Sequence, residues 1–525
     1  MIESDVIVAI ATPPGRGAVG IVRISGAKAV EVFGRIFRQG ASLNASQESC
    51  IKKVVQKRQR HPKLESHRMY YGRIYTGLET IAEYVDEVMA CCMLAPRSYT
   101  REDTIEIYAH GGTATLQGVL NAALNNGARL ALPGEFTKRA FLNGRINLTQ
   151  AEAVMDLISA STGVARRAGL KQLGGGLGQR VTDGRDRLLV WLANIELSID
   201  YPEHESEAMN RDTILQEGQS WIREMAALLK TADLGRVLRE GIKTAILGRP
   251  NVGKSTLLNA IIGEDRAIVH EIPGTTRDVL TQQVRLGDVV LQLMDTAGIR
   301  DTDDPIESIG VEKSYEAAQD AELIIYVMDY SNPPMDEDID ILRQFIDKHV
   351  LIILNKCDLP AAQGWDRFIS GIKADSMRNS PAQAENIEWN RECDSVNPGH
   401  FNGFSAAGGA DFELICYSKH IFMISAQNRN GLDKLYEEIQ HKFLQGLLST
   451  EDTEADIITR ERHVALLQSA ISHVTRAMDE LQMGVEEDLV SIGLREAYSA
   501  LGEILGLEVS DDIVDRIFSE FCVGK

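Results

Sequence analysis

Apolar and polar positions follow different rhythms along this 525-residue chain, and the changes of rhythm mark its parts. In residues 1–145 short apolar runs alternate with turns. Residues 5–11 and 18–24 predict strands joined by a Pro/Gly-rich turn, and residues 85–94 and 104–108 predict two more. Residues 27–37 and 113–125 carry helical spacing, the second stopped by Asn126-Gly127. Leu132-Pro133-Gly134 predicts a turn with a helix from Glu135 onward. The expected N-terminal domain is mixed α/β.

Residues 146–240 switch to helical periodicity, with helices expected at 148–161, 188–199 and 213–229. Residues 241–445 alternate strand and helix, the pattern of a doubly wound, mainly parallel sheet. Residues 446–525 return to helix at 459–483, 488–506 and 510–521. The apolar stripes of these last helices need partners, and the helices of 146–240 are the simplest supply. The predicted architecture is an N-terminal α/β domain, a discontinuous helical domain, and a second α/β domain inserted into it.

Charge narrows the partners. With 55 basic and 76 acidic side chains the formal net charge is −21, which excludes a general polyanion binder. RNA contact is left to local patches. One is the run 42–68, with Lys52, Lys53, Lys57, Arg58, Arg60, Lys63 and Arg68, although a solvated loop or edge is the favoured reading of such a run and RNA contact the sharper one. No apolar run reaches the ~18–20 residues of a membrane span. The acidic start of the chain runs straight into strand-like sequence, unlike a signal peptide, so the expected location is the cytoplasm. Seven cysteines without a C-x-x-C pair predict a reducing compartment and neither a disulfide framework nor a zinc site. The glycine run Gly174 to Gly178 follows a helical pattern rather than a strand, so it is not a dinucleotide fingerprint.

The strongest chemical signal is GRPNVGKST, Gly248 to Thr256, which fits G-x-x-x-x-G-K-[ST] between an apolar strand and a helix. Backbone N–H groups at a helix N-terminus cradle phosphate oxygens. The nucleotide-binding candidates here are Asn251, Val252, Gly253, Lys254, Ser255 and Thr256. Lys254 brings positive charge to the outer phosphates, and Ser255 offers a hydroxyl to Mg²⁺. Asp295, Thr296, Ala297 and Gly298 follow a strand-like run; Asp295 suits Mg²⁺ through water, and the Gly298 N–H suits the γ-phosphate. Asn355, Lys356, Cys357 and Asp358 close another strand. A carboxylate at Asp358 can accept from guanine N1–H and the exocyclic amine, a donor pair that adenine lacks. Ser425 and Ala426 support the base. The ordered set selects GTP and resembles the translational GTPase class.

Hydrolysis needs a further group. The residue after DTAG is Ile299, followed by Arg300, and an isoleucine cannot orient water as the glutamine of Ras-like proteins does. No arginine finger is evident. Between the P-loop and DTAG lie His270, Glu271, Ile272, Pro273, Gly274, Thr275 and Thr276. Thr276 is the natural Mg²⁺ ligand of this loop. Oxygens of Asn251 and of the loop suit a monovalent cation, K⁺, whose charge would stand where an arginine finger's stands.

Three more stretches carry a family resemblance: ATPPGRGAVGIVRISG (11–26), PGEFTKRAFLNGRINLTQAEAV (133–154) and FCVGK (521–525). With GRPNVGKST and IPGTTRD they closely resemble the MnmE (TrmE) family of tRNA-modification GTPases, in the TrmE-Era-like group, over nearly the whole chain. The resemblance implies domains at 1–145 (tetrahydrofolate binding and dimerisation), 146–240 and 446–525 (helical), and 241–445 (Ras-like GTPase). It implies K⁺-stimulated GTP hydrolysis coupled to dimerisation of the GTPase domains. With an MnmG-type flavoprotein, which carries the FAD, it implies addition of an aminomethyl-type (carboxymethylaminomethyl) group at carbon 5 of the wobble uridine of certain tRNAs. A tetrahydrofolate derivative supplies the one-carbon unit. The family's folate contacts map to Arg23, Glu106, Arg145 and Lys525. Its K⁺ ligands map to Asn251, the backbone of His270 and Ile272, and Thr275; its water-positioning glutamate maps to Glu307. Arg300 is a candidate switch stabiliser, and Cys522 of the C-x-G-K ending is either a chemical participant or a small apolar tail residue. A homodimer and a heterotetramer with the flavoprotein follow.

One departure stands out. A long polar Gly/Ser/Asn-rich insertion, residues 363–411, separates NKCD from Ser425 and predicts a poorly ordered surface loop. The GTP motifs alone also fit an Era-like regulatory GTPase acting on ribosome or membrane, which has no use for the PPGRG, FLNGR and FCVGK stretches. A folate-binding transferase with a vestigial GTPase domain is opposed by the intact Lys254, Ser255, Asp295 and Asp358.

Overall fold

The computed structural model describes residues 5–39, 64–77, 82–200, 211–263, 269–271, 282–294, 317–345, 347–365, 368, 421–444, 456–521 and 523–524. It divides into two compact units: Met1–Met155 with Lys171–Arg223 and Ala465–Lys525, and Asp156–Leu170 with Glu224–Val464.

The first unit begins as a seven-stranded sheet: β1 Val6–Ile10, β2 Val19–Ser25, β3 Phe37–Gln39, β4 Arg68–Tyr75, β5 Tyr84–Met93, β6 Thr104–His110 and β7 Ala128–Leu130. The spatial order is β3-β4-β5-β6-β2-β1-β7, antiparallel except for the β1–β7 pair. Successive strand residues face opposite sides. Val22 and Ile24 of β2 therefore enter one core, with Ile105 and Ile107 of β6 and the helices Ala29–Ile36 and Thr113–Asn125. Arg23, between them, falls on the second face, in register with Glu106.

That second face is covered near its edge by the helix Glu135–Leu142. Phe136 packs on Ile7 and Ala9. Arg139, only 4% exposed, fixes the helix to the sheet. Its guanidinium reaches Asp5 at 2.7 Å and Glu102 at 3.0 Å. A buried cation needs such pairing, because an unpaired one forfeits its hydration without return.

The rest of this unit is helical. A single helix, Gly176–Asp200, absorbs the shorter segment expected at 188–199. Its first turns are glycine-rich, which lowered the helical signal, yet Gly178 lies against Asn147 and Thr149 and the Gly184 carbonyl accepts from Trp221 Nε1 at 3.0 Å. The glycine run starts in the turn before this helix, with no strand ahead of it. The helix Glu487–Leu505 packs along Gly176–Asp200, burying Leu494, Ala497, Leu501 and Ile504 at helical spacing. The C-terminal helix Asp511–Ser519 closes a smaller core of Leu148, Ala151, Val514, Phe518 and Phe521.

The second unit holds the other sheet: β8 Ile242–Leu247, β9 Val269–Glu271, β10 Gln282–Leu286, β11 Val289–Leu293, β12 Leu323–Asp329, β13 His349–Asn355 and β14 Ile421–Met423. The order is β14-β13-β12-β8-β11-β10-β9; β14 through β11 run parallel, and β10 and β9 are antiparallel additions. Every residue of β12 is buried, as a strand covered on both faces requires. Ile325 and Val327 face a core with Leu257, Ile261, Leu435 and Ile439; Ile324, Tyr326 and Met328 face another with Leu342, Phe345 and Trp365. Among the described residues no helix is long and apolar enough to cross a membrane. Of the basic run 42–68, residues 42–63 lie outside the described residues, while Arg68 opens strand β4; nearly all of the insertion beyond Trp365, with its expected disorder, also lies outside them.

Phe518 is 1% exposed, with ring centroids 6.2 Å from Phe141 and 5.0 Å from Phe521. Truncating a buried aromatic costs about 3–5 kcal/mol. Phe518→Ala is expected to lower the thermal midpoint of the full chain clearly and Phe518→Leu much less, followed by circular dichroism; equal midpoints for both would refute this packing role.

Candidate functional site

In the second unit the chemistry gathers where parallel strands end, the usual ligand edge of a doubly wound sheet. The P-loop leaves β8 and opens the helix Lys254–Ile262. Gly253, at φ 97°, occupies the left-handed region, and a side chain there would strike the Asn355 amide, so the position is reserved for glycine. Asn251 also has φ 62°, a conformation asparagine tolerates better than most residues. The Lys254 ammonium donates to the carbonyls of Gly248 and Arg249 at 2.8 and 2.9 Å. Ser255 is half-buried at the first helical turn, and Thr256 is exposed.

Asn355 binds the loops together. Its Nδ2 donates to the Val252 carbonyl at 3.0 Å, and its Oδ1 accepts from the Ala426 N–H at 3.0 Å. The next residue, Lys356 (φ 61°), sends its ammonium to the Asn251 carbonyl at 2.9 Å and to Asp329 at 2.7 Å. Asp358 is exposed, its carboxylate open for a base. Ser425 is buried and exchanges backbone hydrogen bonds with Asn430, which shapes the loop carrying Ala426. His270 and Glu271 belong to β9, the edge strand farthest from β14, where His270 pairs with Gln283. Ile272, Pro273, Gly274, Thr275, Thr276, Asp295, Thr296, Ala297, Gly298, Arg300, Glu307, Cys522 and Lys525 lie outside the described residues.

The sequence reading missed Asp329. It ends the otherwise apolar strand β12, is 3% exposed, and accepts from Ser331, Asn332 and Lys356. Burial opposes its charge, but the hydrogen bonds from Lys356 and Ser331 prevail and hold its carboxyl below the usual value. An acid closing a buried apolar strand was the available signal.

The first unit contains a cavity of about 520 Å³ on the second face of its sheet, within the size range of small-ligand sites. Arg23, Tyr99, Glu106 and Arg145 line it. The Arg23 guanidinium meets Glu106 at 2.9 Å and donates to the Gly524 carbonyl at 3.3 Å. Three of the four expected contacts are thus together, and the fourth, Lys525, is adjacent in sequence to a residue already there. Gly524, at φ 96°, fits closely against the Ile10 carbonyl, where a side chain has no room. Arg145 stacks on the Tyr99 ring, its guanidinium carbon 4.7 Å from the centroid. Burial, then the hydrogen bond to Glu106 at 2.8 Å, push the Tyr108 phenol up to about 12, so it remains a neutral donor to that carboxylate. Arg97 and Arg101, which the sequence reading also missed, stand on the same wall.

Because Asp329 is held below its ordinary value of 3.8, its contribution to stability is present above that pH and is lost as pH falls through the lower folded value. Asp329→Asn is expected to cost about 1–3 kcal/mol near neutral pH. The gap between variant and wild type should narrow in thermal melts taken below pH 4; a gap independent of pH would rule out the ionised carboxylate as the cause.

The chain is similar over its whole length to known proteins. The family model "GTP-binding protein TrmE N-terminus" matches residues 6–145, and "MnmE helical domain" matches residues 148–522. The tRNA modification GTPase MnmE of Lactococcus lactis is 38% identical over 524 residues, covering 100% of this chain and 99% of that one. The protein of the same name from Geobacillus thermodenitrificans is 40% identical over 526 residues, covering 100% of both. Among solved structures, Era of Aquifex aeolicus is 21% identical with a TM-score of 0.23, covering 44% of this chain and 65% of that one. By its full-length identity and both model matches, the chain belongs to the MnmE family of tRNA modification GTPases.

Proposed function

We propose that this protein hydrolyses GTP and, with an MnmG-type flavoprotein, installs a carboxymethylaminomethyl-type group at carbon 5 of the wobble uridine of certain tRNAs. The observation that carries this reading is the meeting of distant parts of the chain: Arg23 on β2, which lines the cavity with Glu106, pairs with that carboxylate and also donates to the Gly524 carbonyl. A GTPase acting only as a switch has no use for such a pocket.

The residues fit a tetrahydrofolate. Glu106 accepts from pterin N–H groups, Tyr99 offers an aromatic face, and Arg23, Arg145 and Lys525 suit the glutamate carboxylates. When bound, the folate would supply the one-carbon unit; Cys522 is the nucleophile candidate. In the GTPase domain, Lys254 neutralises the outer phosphates, Ser255 and Thr276 hold Mg²⁺ with Asp295 through water, and Asp358 selects guanine over adenine. Asn251 with the backbone of His270 and Ile272 and with Thr275 holds K⁺. Glu307 orients the attacking water, and Arg300 steadies the switch. The domain limits near 145, 240 and 445 separate folate binding and dimerisation, helical support and hydrolysis. The working species is a cytoplasmic homodimer that joins the flavoprotein as a heterotetramer.

Asn251→Lys is expected to abolish stimulation of GTP hydrolysis by K⁺ over Na⁺ while GTP still binds; retained K⁺ stimulation rejects the cation assignment. Deleting residues 522–525 is expected to eliminate the modified wobble nucleoside in cells, read by mass spectrometry, while GTP turnover of the purified protein persists. Undiminished levels of the modified wobble nucleoside in cells lacking the whole protein would instead favour an Era-like regulatory role.

A further inference from the structure

The pocket of the first unit carries more positive charge than the folate contacts account for. Among the described residues four arginines, Arg23, Arg97, Arg101 and Arg145, face it with one carboxylate, Glu106, and Arg23 is already paired with that carboxylate. His67 adds a titratable ring to the same wall. The other three arginines are exposed. In a chain with a net charge of −21 this is a strongly biased local surface.

Two loops fix where these cations stand. Arg101 Nη1 donates to the Asn143 carbonyl at 2.9 Å, Arg145 Nη1 donates to the Tyr99 carbonyl at 2.9 Å, and Asn143 Nδ2 donates to the Thr100 carbonyl at 2.6 Å. Each loop thereby holds an arginine of the other, and both guanidiniums stay on one rim. Arg101 adopts φ 59°, a left-handed conformation that favours glycine, so a long cation occupies a position where the backbone alone disfavours it. The Arg97 guanidinium makes no hydrogen bond or ion pair among the described residues. Arg101 spends one donor on the Asn143 carbonyl, while local folding gives no reason for a guanidinium at Arg97.

Resting on the folate reading above, we propose that Arg97, Arg101 and Arg145 form the seat of a poly-γ-glutamate tail, so that the pocket prefers polyglutamylated to monoglutamylated tetrahydrofolate. The chemistry follows from the two ends of such a ligand. The pterin end is flat, neutral and rich in N–H groups, and suits the half-buried Glu106 and the Tyr99 ring. The tail adds one carboxylate with each glutamate, and a row of exposed guanidiniums, each able to grip a carboxylate with two N–H groups, is its complement. The extra contacts are solvent-exposed ion pairs, so the preference is modest and screened by salt.

The test titrates the full-length protein by calorimetry with 5-formyltetrahydrofolate bearing one or five glutamates, at low and at high salt. The pentaglutamate is expected to bind about fivefold to tenfold more tightly at low salt, with the advantage shrinking at high salt. Arg97→Ala with Arg101→Gly is expected to bring the ratio of the two affinities to about one. Arg101→Gly removes the hydrogen bond to the Asn143 carbonyl but also the left-handed cost, so the thermal midpoint and the affinity for the monoglutamate are read beside the ratio; loss of the ratio with both retained cannot be ascribed to unfolding. Equal affinities of the two ligands for the wild type overturn the tail seat but leave the folate reading standing. Absence of binding by either overturns the folate reading itself. Competition by a short RNA oligonucleotide without any dependence on glutamate number assigns the rim to phosphate and also overturns the proposal.

Discussion

One buried amide sets the geometry of the nucleotide edge. Asn355 is 1% exposed and lies at the end of β13, between the P-loop that follows β8 and the loop that follows β14. Removing either of its hydrogen bonds leaves a buried backbone group unpaired, at about 1–3 kcal/mol each. Its position also decides that of its neighbour. Lys356 can touch both the Asn251 carbonyl and Asp329 only because Asn355 pins the strand end in register with the P-loop. The loops expected to serve phosphate, cation and base are thus held by the sheet beneath them and by each other, which is how a site built on loops reaches the precision of its scaffold.

The first unit uses a different constraint, the alternation of side chains along β2. With Val22 and Ile24 committed to the helix-covered core, Arg23 is forced onto the other face, where β6 presents Glu106 opposite it. The helix Glu135–Leu142 then closes one side of that face through Phe136 and Arg139. The small core around Phe518 and Phe521 sends the chain terminus back to β1, so that Gly524 arrives beside Arg23. The pocket is a consequence of two ordinary packing requirements, a sheet with one apolar face and a terminal helix with one apolar stripe.

Much of this was legible because it is local. The strand, glycine turn and helix around Lys254 are dictated by neighbouring residues, and the helix Thr113–Asn125 ended where Asn126-Gly127 said it would. The fold class followed from the changes in periodicity. What escaped depends on distant partners. Strand β4 was missed because Gly72 and a run of tyrosines blur its alternation, although pairing with β3 and β5 settles it. Asp329 was missed because its value comes from Lys356, which lies far along the chain. Arg97 and Arg101 belong to no local motif, and only the folding of their loop brings them to the cavity wall beside Arg145.

The two candidate sites meet their ligands from different starting points, and this bears on how affinity arises in each. At the nucleotide edge Lys254 already has two carbonyl acceptors and Lys356 a carboxylate. A phosphate gains only the difference between its own contact with Lys254 and the contacts it replaces, which favours discrimination and exchange over sheer tightness. In the pocket of the first unit Arg23 is likewise paired, whereas the outer arginines are exposed to solvent. Arg101 and Arg145 each spend one donor on a backbone carbonyl, and an anion reaching their remaining donors has no carboxylate to displace. On the folate reading proposed above, the inner pair supplies selectivity for the ligand's neutral end, while the rim adds attraction in proportion to the negative charge that the ligand carries behind it.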